Sequence, residues 1–194
     1  MEILKKNTGG DQLIIIIGKT ASGKDTITKE LCLNHNFKKI VTYTTRPMRE
    51  NEIDGTTYHY ISNDEFKKKI NEGFFAEYKS YQSEFGEWFY GTSEESIINS
   101  DDRSIIILTP QGYKDILSKY SNLNCKSIYL YASNRTIRER LIQRGDDESE
   151  ARRRVKHDKK DFRGIEKIVD NVICNNKDRP FEKVIKNILE VITK

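Results

Sequence analysis

The sequence predicts an α/β fold: a P-loop NTPase-type core with a mostly parallel sheet, into which a small mixed α/β lobe and a basic helical segment are inserted. Three observations carry this. First, "QLIIII" (12–17) is an unbroken apolar run ending at Gly18, as expected of a strand buried on both faces. Second, a glycine loop, "GKTASGKDT" (18–26), leads into residues 26–34, where Ile27, Leu31 and Cys32 share one helical side. Strand, glycine loop, helix is the setting a phosphate-binding loop requires. Third, apolar strands and helices alternate along the rest of the chain.

In order, the remaining core strands are "SIIIL" (104–108), "SIYLYA" (127–132) and the shorter "NVIC" (171–174), with helices over 111–119 and 134–143 between them. The last stretch, "RPFEKVIKNILEVITK", sets Phe181, Val184, Ile185, Ile188, Leu189 and Ile192 on one helical face, with Pro180 suited to its first turn. Two stretches interrupt the alternation. Residues 42–98 are rich in Tyr, Phe, Thr and Glu and read as short antiparallel strands around a helix at 63–72. Residues 135–167 are charged, mostly basic and poor in apolar residues, and read as exposed helices. The expected division is one domain: core 12–41, 99–134 and 168–194, inserted lobe 42–98, and helical segment 135–167.

A chain of 194 residues with 36% hydrophobic and 33% charged content is long enough for one proper core under a heavily charged surface. The net charge of +4 comes from 34 basic and 30 acidic residues that are interspersed. A polyanionic ligand fits this pattern and nucleic acid is not demanded. Cys32, Cys125 and Cys174 show no C-x-x-C spacing and read as buried free thiols of a reducing compartment. The start lacks a signal-peptide apolar region, and "LIIIIG" is too short to span a bilayer, so a cytoplasmic protein without membrane contact is expected.

The glycine loop departs from G-x-x-x-x-G-K-[ST] at one place. Gly18, Gly23 and Lys24 fit, and Asp25 stands where a hydroxyl belongs. The backbone N–H groups of Lys19, Thr20, Ala21, Ser22, Gly23, Lys24, Asp25 and Thr26 can form an anion-binding nest at the helix start. Lys24 would then neutralise the β- and γ-phosphates, with the Thr26 hydroxyl in the first turn. In the inserted lobe, Arg46 and Arg49 are spaced to converge on one phosphate by bidentate contacts, with Tyr58 and Tyr90 as phenolic donors. A solvated basic turn beside two core tyrosines explains the same spacing, and the residues alone leave both open.

"TTRPMRENEIDGTTYHY", "EGFFAEY" and "WFYGT", following this loop in that order, resemble the guanylate kinase family, and the resemblance runs from residue 12 to the end. It implies ATP with Mg2+ on the loop, and GMP (with dGMP) in the inserted lobe, which becomes the NMP-binding lobe. It implies that Arg46, Arg49, Tyr58 and Tyr90 hold the GMP phosphate. Glu77 would accept from guanine N1–H and its amino group, with Thr42 and Thr92 at the base. Residues 135–167 resemble the family's lid, and the positions matching its phosphoryl-binding arginines are Arg140, Arg144 and Arg154. Asn175 in "VICNN" matches a position near adenine. A site built around an acceptor carboxylate rejects adenine, which would leave that acceptor unpaired.

Three departures stand out. "ILTPQG" places Ile107 and Thr109 where the family's D-x-D-x-Q-G has its aspartates, one serving the magnesium hydration shell and the other the nucleotide, so Thr109 inherits a substrate position. Asp25 either restores a magnesium-supporting carboxylate lost from 107 and 109, or points outward and complements the helix dipole. About four extra residues separate Glu77 from Tyr90 relative to the family hairpin, with Phe85, Trp88 and Phe89 crowding its tip, where they could cap the nucleotide, meet a partner subunit or simply pack. The expected activity is ATP-dependent phosphorylation of GMP by a monomer or homodimer. The competing readings are a kinase of another phosphorylated acceptor and a non-catalytic binding module. Lys24, Arg140, Arg144 and Arg154 argue against the module.

Overall fold

The computed structural model describes residues 12–50, 52–83 and 86–193. Its centre is β1 (Leu13–Ile17), every residue of which is buried. β-Branched side chains suit a strand covered on both faces. Beside it lie β7 (Ser104–Leu108) and β8 (Cys125–Tyr131), with β2 (Lys38–Lys39) and β9 (Asn171–Cys174) at the edges. The order is β2-β7-β1-β8-β9, and every pairing is parallel. Ile14 and Ile16 pack on one face with Ile27 and Leu31 of α1 (Lys24–Asn34) and Val184, Ile185 and Ile188 of α7 (Phe181–Ile192). Leu13, Ile15 and Ile17 pack on the other with Tyr113 and Ile116 of α4 (Pro110–Lys119). Ile17 pairs with both Leu108 and Tyr129, so the loop after β1 opens at the carboxyl ends of the strands, where α/β sheets bind ligands.

The inserted lobe has its own sheet, β4-β3-β6-β5, built from β3 (Tyr43–Thr44), β4 (His59–Tyr60), β5 (Phe75–Ser83) and β6 (Gly86–Ser93). Helix α2 (Asn63–Asn71) covers it, and α3 (Glu94–Ile98) leads back to the core. Phe66 stacks on Phe75 and on Phe89, with centroids 4.3 and 5.2 Å apart, to form the lobe's own small core. Of the tip aromatics, Phe89 therefore packs inward and Trp88 is half-buried, while Phe85 falls outside the described residues. Between Phe75 and Glu77 the β5–β6 register shifts by a bulge. Phe75 and Ala76 stay buried in two different clusters while Glu77 turns to Thr92 across the ladder.

The charged segment after β8 forms α5 (Asn134–Gln143) and α6 (Glu148–Asp161). Helix starts follow side-chain caps: Ser62, Ser93, Thr109 and Ser133 each accept a hydrogen bond from a backbone N–H three residues on. Three expectations need correction. In the inserted lobe β3 and β4 pair in parallel, not antiparallel, because the turn-rich stretch between them returns the chain to run alongside β3. Helix α1 begins at Lys24, two residues earlier than its apolar spacing suggests, because Gly23 (φ 98°) turns the chain straight into it. The cysteines are free but only partly buried; Cys32 and Cys125 lie at the rims of their apolar clusters. Among the described residues no helix is long and apolar enough to cross a membrane.

Candidate active site

The glycine loop is tied down from three directions. From within, Lys24 Nζ donates to the carbonyls of Gly18 and Lys19 at 2.6 and 2.9 Å. Burial lowers the pKa of this ammonium, while Asp25 and Asp158 oppose the shift. From just beyond β9, the buried Asn175 donates its Nδ2–H to Ser22 O at 2.8 Å. From α5, Arg140 Nη1 donates to Ala21 O and Ser22 O, both at 3.1 Å, and its Nη2 to Asn175 O at 3.0 Å. Ala21 sits at φ 54°, a left-handed conformation that costs a non-glycine residue energy. Its methyl is buried against Leu141 of α5 and Ala151 of α6. Strain in the loop is thus coupled to lid packing.

Helix α6 touches both the core and the inserted lobe. The Asp158 carboxylate accepts the Thr20 N–H at 2.8 Å. Asp161, three residues on, lies 3.5 Å from Lys79 Nζ on β5. Arg144 is exposed, and its charge bears on both Lys24 and Arg140. Arg154 is turned partly aside, 3.3 Å from Asp146. Arg152, Arg153 and Lys156 form a solvated face, as their pattern suggests.

In the inserted lobe, Arg46 is almost fully buried and already partnered. Its Nη2 donates to both carboxylate oxygens of Glu52 at 2.7 and 2.8 Å, and its Nη1 to Pro47 O at 2.6 Å. Glu52 also accepts the Arg49 N–H and the Tyr60 hydroxyl. Burial pushes the Glu52 carboxyl up, but these bonds and the Arg46 charge outweigh it and hold its pKa below the ordinary value. The Arg46 guanidinium lies 5.7 Å from the Tyr58 ring, which meets Tyr90 edge-on at 6.1 Å. Burial, then the Asp25 charge, raises the Tyr58 phenol's pKa and keeps it a donor. Arg49 is exposed.

Glu77 lies at the other end of this lobe. Its Oε1 accepts the Thr92 hydroxyl at 2.6 Å. Burial pushes its pKa up to about 7, with Thr92 opposing the shift. A Cβ built on Gly112 would stand 2.7 Å from Glu77 Oε2 and 3.3 Å from Thr109 Oγ1, so the bare α4 backbone is packed against the carboxylate. The Thr109 oxygen caps α4 by accepting the Gly112 N–H at 3.0 Å, while Ile107 joins the apolar cluster beneath α1 and α7. The two residues at the expected aspartate positions thus have structural work of their own. Thr42 directly precedes β3, where Tyr43 faces Gly91, and is half-buried near the Thr92 end of β6.

The structure therefore forms three groups: Lys24 and Arg140 with the loop, Arg46 with Tyr58 and Tyr90, and Glu77 with Thr92, Gly112 and Thr109. The Asp25 charge, acting on Tyr58, links the first group to the second. Sequence reasoning missed Glu52, Gly112, Asp158 and Lys39. Glu52 and Asp158 carry no local signal beyond being acidic residues in charged stretches. Gly112 had one, standing in the quoted "TPQG" where a helix interior disfavours glycine. A groove of about 620 Å³ between α5 and α6, lined by Arg138, Ile142, Arg152 and Val155 among others, includes none of the candidate residues.

Comparison with known proteins places the chain in a family. Residues 10–194 match the family model described as guanylate kinase. The chain is 31% identical over 186 residues to a guanylate kinase of Wolinella succinogenes, covering 91% of this chain and 82% of the relative. It is 30% identical over 188 residues to one of Helicobacter pylori, covering 93% and 87%. Its fold matches the crystal structure of guanylate kinase from Anaplasma phagocytophilum with a TM-score of 0.67 at 19% sequence identity, over 99% of this chain and 88% of that one.

Proposed function

Because the chain belongs to the guanylate kinase family, we infer that it transfers the γ-phosphoryl group of ATP to GMP, and to dGMP, in the cytoplasm. The observation that carries the choice of acceptor is Glu77: a carboxylate against Thr92 and Gly112, with one oxygen fixed by the Thr92 hydroxyl. Two adjacent donors, such as guanine N1–H and its amino group, match such an acceptor. A base lacking them leaves a desolvated carboxylate unpaired.

In this reading the loop N–H groups and Lys24 hold the ATP phosphates, which displace the Gly18 and Lys19 carbonyls from the Lys24 ammonium. Arg46, held by Glu52, presents its remaining N–H groups with Tyr58 and Tyr90 to the GMP phosphate. An oxygen of that phosphate attacks the γ-phosphorus in line. The new P–O bond forms as the bond to the β–γ bridging oxygen breaks, and ADP leaves. Arg140 and Arg144 offset the charge spread over the transferring group, and the lid that bears them excludes water.

The residues present suit a phosphate-bound Mg2+. Asp25 in the first turn of α1 and Asp158 above the loop both act on Lys24, and such an ion needs only one or two carboxylates beside substrate phosphates and water. Asp25, Thr26 and Asp158 are the residues that would hold it. When bound it supplies further charge neutralisation to the polyphosphate.

The test is product identification by 31P NMR after mixing Mg·ATP and GMP. GDP and ADP are expected in equal amounts, and Glu77→Gln should slow GDP formation while leaving ATP affinity unchanged. ATP consumed without GDP, or an unaffected Glu77→Gln variant, would reject this reading of the acceptor.

A further inference from the structure

The two residues of β2 differ sharply. Lys38 is exposed, 3.7 Å from Asp101, whereas Lys39 is half-buried and crosses from the core to the inserted lobe. Its Nζ donates to Thr57 O at 2.8 Å and lies 5.4 Å from the centroid of the Tyr58 ring. The Arg46 guanidinium stands 5.7 Å from that same centroid, so two cations flank one aromatic ring.

Among the described residues, Thr57 O is the one hydrogen-bond partner of this ammonium, and no carboxylate lies within 4.0 Å of it. An ammonium carries three donors, and a desolvated one with a single acceptor is incompletely satisfied. Burial lowers its pKa, and the largest opposing influence is the charge of Asp25. Asp25 is also the strongest charge acting on Tyr58. The charge of the residue that breaks the loop pattern thus acts on both Lys39 and Tyr58.

A phosphate bound at Tyr58 would meet that carboxylate's repulsion. Arg46 gives little net charge against it, because Glu52 neutralises it with a two-oxygen contact. Lys39 is a half-buried cation on which the Asp25 charge acts and which lies 5.4 Å from the Tyr58 ring. We propose that Lys39 is an acceptor-binding residue that donates to the phosphate of the bound nucleotide and screens it from Asp25. The assignment rests on the acceptor reading given above.

The alternative is that Lys39 only pins the inserted lobe to the core through Thr57. Calorimetric binding of GMP and of guanosine, which lacks the phosphate, separates the two. Lys39→Met should weaken GMP binding roughly 10- to 100-fold, the range for one charge-assisted hydrogen bond. Guanosine binding should stay within about twofold, and Lys39→Arg should recover most of the GMP affinity. Adding Asp25→Asn to Lys39→Met should restore part of the loss by removing the repulsion. Equal losses for GMP and guanosine, or no loss for GMP, would overturn the Lys39 assignment alone. An unaltered protein that does not bind GMP would overturn the acceptor reading itself, and the assignment with it.

Discussion

Acidification from pH 8 to pH 6 should weaken base recognition through Glu77. With the carboxyl titrating at about 7, roughly 90% is ionised at pH 8 and roughly 10% at pH 6. Protonation converts a two-oxygen acceptor into a group carrying a competing donor. If only the ionised form binds guanine well, affinity falls roughly ninefold over that interval. Guanosine is the ligand to use, since a phosphate's own ionisation near pH 6 would otherwise enter. Calorimetry at pH 6, 7 and 8 should give this decline, with adenosine binding negligible throughout, and Glu77→Gln should bind weakly with no such slope. The same shift sets a stability signature of opposite direction. An acid whose pKa rises on folding binds its proton more tightly in the native state, so stability falls as pH rises from 4.5 to about 7. The cost at pH 8 is on the order of 3 kcal/mol. Guanosine affinity that is flat or stronger at pH 6, or a slope retained in Glu77→Gln, would refute the reasoning.

Further outcomes follow from other contacts. Gly112→Ala puts a methyl 2.7 Å from Glu77 Oε2, so guanosine affinity should drop at least about tenfold while ATP affinity holds, as paired titrations would report. Glu52→Ala leaves the buried Arg46 unpaired and should cost about 3 kcal/mol in urea unfolding. Because the Glu52 pKa is lowered on folding, its contribution is present above about pH 4.5 and lost as pH falls further, a window separate from that of Glu77. Ala21→Val forces a β-branched side chain into the left-handed region and should destabilise by about 2 kcal/mol. Ala21→Gly exchanges strain relief for a lost methyl contact and should change stability by less than about 1 kcal/mol, again by urea unfolding.

Core strands and their helices were legible because their signals are local. Five consecutive buried residues make β1 unmistakable, and the apolar face of α7 falls at regular spacing. The loop was legible despite Asp25, since its glycines and lysine sit between a strand and a helix. What the sequence hid depends on tertiary contact. β2 is a strand of two lysines, defined only by pairing with β7. The role of Glu52 exists only because Arg46 folds back six residues to meet it. Asp158 reaches Thr20 across 138 positions, and Lys39 acquires meaning only beside Tyr58. The positions of Ile107 and Thr109 read as losses, whereas the structure gives one to an apolar cluster and the other to a helix cap.

The central claim is that this cleft selects guanine monophosphates as phosphoryl acceptors. The most direct measurement is a coupled assay of ADP release from Mg·ATP against GMP, dGMP, AMP, UMP, CMP and IMP. Strong turnover with GMP and dGMP is predicted, with weaker turnover on IMP, which keeps the N1–H donor and lacks the amino group, and none on the others. Turnover favouring AMP, UMP or CMP, or none with any of the six, would contradict it.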